Sequence, residues 1–141
     1  MNTIDEVLDF AIEQEQIAAD FYKATSRKAV STEMQRILLE FSEDELRHKK
    51  ILINVKDRDY ALSPHQEILD LKVSDYLVEV KDVETLSYHD ALGVAMKRGK
   101  AVFELYDRIA NALPEGHLKE EFGSLATSES KHKLFFEAQY E

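Results

Sequence analysis

Glu45-Leu46-Arg47-His48 and Glu129-Ser130-Lys131-His132 are two copies of one pattern, Glu-x-x-His, and they lie 84 residues apart (132 − 48). Residues three apart lie on the same face of a helix, so each copy directs one carboxylate and one imidazole toward the same point. Each copy therefore has the composition and spacing of half a metal site. These two stretches decide both the fold and the candidate chemistry of the chain.

The sequence around them is predicted to be almost wholly helical. Its 141 residues include only four Gly and two Pro, the residues that most disfavour a helix interior. Capping patterns predict four helices, at 4–28, from 31 or 32 to 57, at 88–112, and from 114 or 115 almost to the end. Thr3 with Glu6 and Ser87 with Asp90 are the predicted caps of the first and third helices.

An offset of 84 residues superimposes the first two helices on the last two without a gap. The matched pairs include Leu8 with Leu92, Ala11 with Ala95, Tyr22 with Tyr106, Glu45 with Glu129 and His48 with His132. Duplication of a helical hairpin is the simplest explanation. The segment 58–86 is predicted to be a long crossover that lets the second and third helices run parallel. The sequence thus predicts an all-α four-helix bundle in a single domain, residues 1–141.

Five ionisable residues interrupt the apolar stripes of these helices: Glu15, Glu45, His48, Glu129 and His132. Burying such groups without a partner costs several kcal/mol each, so they need a common one. A metal ion is the simplest partner, and carboxylate with imidazole suits iron, manganese or zinc. The alternative is a buried network of ion pairs and hydrogen bonds without a metal. The absence of Cys excludes a thiolate-held iron centre within this sequence.

Charge and hydropathy limit the expected partners. The formal net charge of −10 repels the phosphate backbone of nucleic acids. No apolar stretch approaches the roughly 20 residues that a membrane helix needs, and residues 1–10 do not read as a signal peptide. We therefore expect a cytoplasmic protein with no nucleic-acid or membrane partner. A homodimer is expected because such assemblies are common among soluble helical bundles of this size.

Three stretches resemble the ferritin-like domain of rubrerythrins: residues 11–22 (AIEQEQIAADFY), Phe41-x-x-x-Glu45-x-x-His48, and Leu125-x-x-x-Glu129-x-x-His132. Residues 71–80 of the crossover also fit, so the resemblance covers nearly the whole chain. It implies a ferritin-like bundle with a carboxylate-bridged di-iron centre, here without a rubredoxin domain. By this resemblance Glu45 and Glu129 would bridge two iron ions. Glu15 and His48 would complete one ion, and His132 would bind the other.

One ligand of the expected set is missing. Ferritin-like dimetal bundles use six such groups, and the position equivalent to Glu15 is occupied by Gly99 (15 + 84). Arg98 and Lys100 lie about 100° from that face of the helix, so neither is expected to replace the carboxylate. Three explanations remain: drift in a domain that no longer needs two metals, space for water, peroxide or a substrate, or a group supplied by the crossover or a second chain.

Tyr22 and Tyr106 lie seven residues beyond Glu15 and Gly99 on the same helix faces. They are predicted either to hydrogen-bond the ligand carboxylates from outside the metal site or to fill the core as aromatic residues. The remaining histidines, at 65, 89 and 117, fall outside the stripes and are predicted to lie at the surface.

Two functions from different classes follow. The resemblance implies an oxidoreductase in which iron, as two ions or one, reacts with peroxide or dioxygen and receives electrons from an external donor. The second hypothesis is a non-catalytic metal-binding or storage module with one ion per chain, for which manganese or zinc would also fit. A purely structural bundle is a third hypothesis. The sequence assigns no catalytic residue beyond the ligands.

Overall fold

The computed structural model describes residues 2–57, 71–79 and 82–141, and four α-helices account for most of this part. The helices are α1 (Ile4–Ser26), α2 (Thr32–Asp57), α3 (Tyr88–Ala112) and α4 (His117–Tyr140), with short 3-10 turns at Val73–Tyr76 and Val83–Thr85. The predicted all-α four-helix bundle is confirmed. No helix in the described residues is both long and apolar enough to cross a membrane.

Side-chain caps fix the starts of the first three helices. Before α1, the backbone N–H of Glu6 donates to Thr3 Oγ1 at 3.2 Å, and the backbone N–H of Thr3 donates to Glu6 Oε1 at 2.9 Å. Ser31 and Ser87 each accept a hydrogen bond at 3.0 Å from the backbone N–H three residues further on. These contacts satisfy N–H groups that a helix leaves unpaired. The predicted caps of the first and third helices are confirmed.

The fourth helix starts later than the sequence predicts. It begins at His117 rather than at Pro114 or Glu115. The reason is Gly116, whose φ of 152° is non-helical and is rarely adopted by residues with a side chain. The turn is tied instead by Lys119, whose Nζ donates to a carbonyl oxygen near the end of α3 at 2.7 Å.

Two apolar clusters fill the bundle, and every helix contributes to both. The first cluster includes Leu8, Leu52, Ile109 and Phe122, and the second includes Tyr22, Leu38, Leu92 and Phe136. The chain passes from the first cluster to the second along α1 and α4, and from the second to the first along α2 and α3. Therefore α2 and α3 run parallel, as predicted.

The connection between α2 and α3 leads from one cluster to the other. Leu71 is buried in the first cluster and Val83 in the second. The described parts of this connection thus agree with a crossover along the bundle. Residues 58–70 and 80–81 of the predicted crossover, His65 included, lie outside the described residues.

Candidate metal centre

Six ionisable side chains form a polar layer between the two apolar clusters. They are Glu15 on α1, Glu45 and His48 on α2, Arg98 on α3, and Glu129 and His132 on α4. The three carboxylate residues are 0% exposed, and none of the other three exceeds 5%. The structure therefore brings together all five residues that the sequence predicts as ligands, and it adds Arg98, which the sequence reasoning had excluded.

Four of these residues form a compact group of donor atoms. One ligand atom each from Glu15, Glu45, His48 and Glu129 lies within 4.8 Å of the other three. His48 Nδ1 is 3.0 Å from Glu129 Oε1, 3.1 Å from Glu15 Oε2 and 3.5 Å from Glu45 Oε1. Carboxylate oxygens with one imidazole nitrogen are ligands that iron, manganese and zinc accept. The group has the composition and compactness of a site for one metal ion.

His132 lies beside this group and contacts it through Glu45. Its Nδ1 is 3.2 Å from Glu45 Oε1. Within the described part of the chain, neither oxygen of Glu45 nor His132 Nδ1 makes a hydrogen bond of acceptable geometry, although all three atoms are fully buried. Buried polar atoms of this kind are rare unless an ion or a ligand completes them. Glu45 Oε2 has the Arg98 guanidinium 2.5 Å away, so the atoms that a bound ion would complete are Glu45 Oε1 and His132 Nδ1.

The far nitrogen of each histidine is held by the opposite half of the chain. His48 Nε2 lies 2.9 Å from Ser128 Oγ, and His132 Nε2 lies 3.0 Å from Asp44 Oδ2. Asp44 and Ser128 are themselves equivalent under the 84-residue offset (128 − 44). Such contacts orient a ligand ring and fix which nitrogen faces the metal. Sequence reasoning missed both residues, although their place immediately before each Glu-x-x-His was a usable signal.

The two tyrosines have different partners. Tyr106 Oη donates to Glu15 Oε1 at 2.8 Å, so this hydroxyl supports a candidate ligand from outside the compact group. Tyr22 Oη instead accepts a long hydrogen bond of 3.4 Å from Arg98 Nη1. Both rings are fully buried, so both residues also fill the core.

Arg98 contacts every carboxylate of the polar layer. Its Nη1 is 2.5 Å from Glu45 Oε2 and 3.2 Å from Glu129 Oε2, and its Nη2 is 3.2 Å from Glu15 Oε1. The sequence reasoning considered Arg98 only as a replacement for the missing carboxylate and did not predict these contacts. The stem of Arg98 is long enough to carry the guanidinium around the helix, and the neighbouring Gly99 has no side chain to obstruct it.

Gly99 is a position of close helix packing. A Cβ atom built there would lie 3.3 Å from the Lys133 Cα atom on α4, which is tighter than most real contacts. The explanation that Gly99 opens space for a substrate therefore disagrees with the structure. Among the described residues, the group that reaches the carboxylates comes from Arg98, the preceding residue on the same helix.

Burial and ion pairing set the charges of the carboxylates. Burial raises the pKa of Glu45 well above its ordinary value, and the attraction of Arg98 only partly offsets this effect. Burial would also raise the pKa of Glu129, but Arg98 and a hydrogen bond from His48 outweigh it and hold the pKa well below the ordinary range. Burial therefore favours the protonated form of Glu45, whereas Arg98 and His48 favour the ionised form of Glu129, and the two carboxylates titrate as a coupled pair.

The two histidines titrate differently. Burial lowers the pKa of His48, but hydrogen bonds to Glu129 and Glu15 outweigh burial and raise it to about 9. Burial lowers the pKa of His132 to about 4, because the charge of Glu129 does not offset it. At neutral pH, His48 is therefore protonated and His132 is neutral. A metal ion that binds His48 must displace its proton.

The fold and the polar layer together define a ferritin-like four-helix bundle with a buried carboxylate–histidine cluster that fits metal binding. The rubrerythrin family profile matches residues 6–140, and the chain belongs to the rubrerythrin family. The resemblance noted from the sequence is confirmed.

Two solved structures share the fold. A protein from Thermotoga maritima described as a ferritin-like diiron-carboxylate protein superimposes with a TM-score of 0.82 at 18% identity, covering 98% of this chain and 94% of that one. A hypothetical protein from Pyrococcus furiosus gives a TM-score of 0.72 at 22% identity, with 98% and 88% covered. A comparison with curated proteins finds no significant match.

Proposed function

We propose that the protein binds iron at Glu15, Glu45, His48 and Glu129 and uses it to reduce peroxide or dioxygen. The observation that carries this proposal is the compact group of four buried residues, with one ligand atom of each within 4.8 Å of the others. Membership of the rubrerythrin family supports iron as the metal. Glu45 Oε1 and His132 Nδ1, which make no hydrogen bond among the described residues, support an ion at this place.

Bound iron would supply one-electron redox chemistry and a coordination position open to a small oxidant. The residues of the chain hold and insulate the site. Tyr106 and Ser128 fix Glu15 and His48 from outside, and the two apolar clusters separate the layer from bulk water. Reducing one peroxide to two water molecules consumes two electrons and two protons. The electrons are assigned to an external donor protein, since this sequence has no Cys to hold a second iron centre.

The test is rapid mixing of the ferrous-loaded protein with peroxide under anaerobic conditions, followed by the absorbance of ferric iron. We expect oxidation faster than that of free ferrous ion in the same buffer. Glu129→Gln, which removes a ligand charge, should abolish the difference, and His117→Gln, which changes an exposed residue, should preserve it. Oxidation no faster than that of free iron would rule out the oxidoreductase function.

The second candidate is a non-catalytic metal-binding or storage module. Complete burial of the three carboxylates favours it, because a buried ion is shielded from reactants. It predicts tight binding of ferrous, manganous or zinc ion without turnover of peroxide. Metal analysis of protein purified without added metal, combined with the mixing experiment, separates the two functions.

A further inference from the structure

We propose that the guanidinium of Arg98 takes the place of the second metal ion, so that the polar layer holds one metal ion and one built-in cation. This inference rests on the proposed metal site. It adds the number of metal ions that the site holds and the reason for that number. Arg98 is 4% exposed and forms ion pairs with Glu15, Glu45 and Glu129, all within 3.2 Å. Each of these carboxylates thus has a permanent positive partner that belongs to the chain.

Charge balance limits the layer to one divalent ion. Three ionised carboxylates neutralise one divalent ion and one guanidinium. A second divalent ion would leave two uncompensated positive charges in a layer where no residue exceeds 5% exposure. Arginine does not relieve this excess by losing its proton, because its guanidinium stays protonated in proteins.

Helix packing disfavours a side chain at the position of the missing carboxylate. At position 99, where the duplication would place the counterpart of Glu15, a Cβ atom would already lie 3.3 Å from the α4 backbone at Lys133. At Gly99, α3 therefore packs closely against α4, and the side chain of Arg98 reaches the carboxylates beside it. In this arrangement Arg98 takes the place of a metal ion and its carboxylate ligand.

His132 then acts as a positioning residue for Glu45. Its Nδ1 faces Glu45 Oε1 at 3.2 Å, and Asp44 holds its Nε2 at 3.0 Å. In this arrangement His132 lies beside the carboxylate that Arg98 holds. It is not required as the terminal ligand of a second ion.

The experiment counts metal in the full chain. Metal-free protein is dialysed anaerobically against excess manganous ion, and bound manganese is measured per chain together with its electron paramagnetic resonance spectrum. We expect about one ion per chain and the six-line spectrum of an isolated manganous ion. In Arg98→Met, the count should rise toward two, with the multiline spectrum of a coupled pair. Lys100→Met removes one positive charge from an exposed position on the same helix and should leave both readouts unchanged.

Arg98→Lys keeps the charge and should keep the count near one, so the inference remains testable if Arg98→Met does not fold. Two ions in the unaltered protein would overturn the inference and leave the metal-site proposal intact. One ion in both the unaltered protein and a folded Arg98→Met would also overturn it, because Arg98 would then exclude nothing. No bound ion in the unaltered protein would refute the metal site and the inference together.

Discussion

Ser128 on α4 holds the outer nitrogen of the His48 ring on α2, with Oγ and Nε2 2.9 Å apart. The two residues come from opposite halves of the duplicated sequence, and Asp44 with His132 forms the reciprocal contact. The duplication therefore places in each half of the chain a residue that orients the histidine of the other half. The partner of His48 is a neutral hydroxyl, whereas the partner of His132 is a carboxylate.

Replacing Ser128 should weaken metal binding. Ser128→Ala removes the partner of His48 Nε2, and loss of such a contact commonly reduces affinity by roughly tenfold or more. Competition against a chelator of known affinity measures the effect. Ser124→Ala changes an exposed serine one turn earlier on α4 and should leave the affinity unchanged. Equal affinities for the two variants would contradict the supporting role of Ser128.

The metal-free protein should lose stability as the pH rises from 6.5 to 9. The pKa of His48 is about 9 in the folded state against about 6.5 unfolded. Its contribution is therefore complete below pH 6.5 and is lost as the pH passes through 9. The loss is on the order of 3 kcal/mol. The raised pKa of Glu45 also lowers stability as the pH rises, beginning above its ordinary value of 4.5. Urea unfolding at a series of pH values measures the loss.

Variants at the two histidines assign this pH dependence. His48→Gln should flatten the loss above pH 6.5, whereas His132→Gln should retain it, because His132 is already neutral in this range. Metal-loaded protein should show a flatter profile than metal-free protein, since ligation replaces the proton on His48. An alkaline loss of full size in His48→Gln would show that another group causes it.

The two buried tyrosine hydroxyls should differ in their importance for stability. Tyr106→Phe removes the 2.8 Å hydrogen bond to Glu15 and should lower the free energy of unfolding by about 1–3 kcal/mol, the cost of a buried polar group that loses a partner. Tyr22→Phe removes only the long 3.4 Å contact with Arg98, so its effect should be smaller. Chemical unfolding of both metal-free variants measures this, and a larger loss for Tyr22→Phe would refute the assignment.

Alanine at two helical glycines should have opposite effects. Gly123→Ala meets no atom within 4 Å and should raise the free energy of unfolding by up to about 1 kcal/mol through helix propensity. Gly99→Ala places a Cβ atom 3.3 Å from the Lys133 Cα atom, and overpacking should outweigh propensity, giving a net loss of about 1 kcal/mol. Thermal and urea unfolding compare the pair. Equal stabilisation by both substitutions would mean that α3 and α4 separate easily.

The hydrophobic periodicity and the duplication of the sequence predict most of this fold. They also place each candidate ligand on the apolar stripe of its helix. Glu15 and Glu129 were placed correctly in the core for this reason, and Thr3 and Ser87 were identified as caps by the residues three positions later. The start of α4 was misplaced because the backbone of Gly116 leaves the helical region. The spacing of hydrophobic residues gives no sign of such a backbone conformation.

The candidate site was harder to predict than the fold. Arg98 was excluded because helical angles locate the Cα atom, whereas its guanidinium lies several bonds away and contacts Glu15 across the bundle at 3.2 Å. Asp44 and Ser128 were missed because their roles depend on contacts between α2 and α4, and only their equivalent places before each Glu-x-x-His indicated them. The roles of the five predicted ligands in binding metal stay predictions, which the metal counts will decide.

The position of the polar layer between two apolar clusters has a consequence for helix alignment. A slip of one turn along any helix would carry a charged side chain into an apolar cluster and separate it from its partners on the other helices. Glu15, for example, would leave Arg98 and Tyr106 and enter apolar surroundings, at the cost of an unpaired buried charge. The layer thus sets the longitudinal register of the bundle, and the residues proposed to hold the metal also specify a single alignment of the four helices.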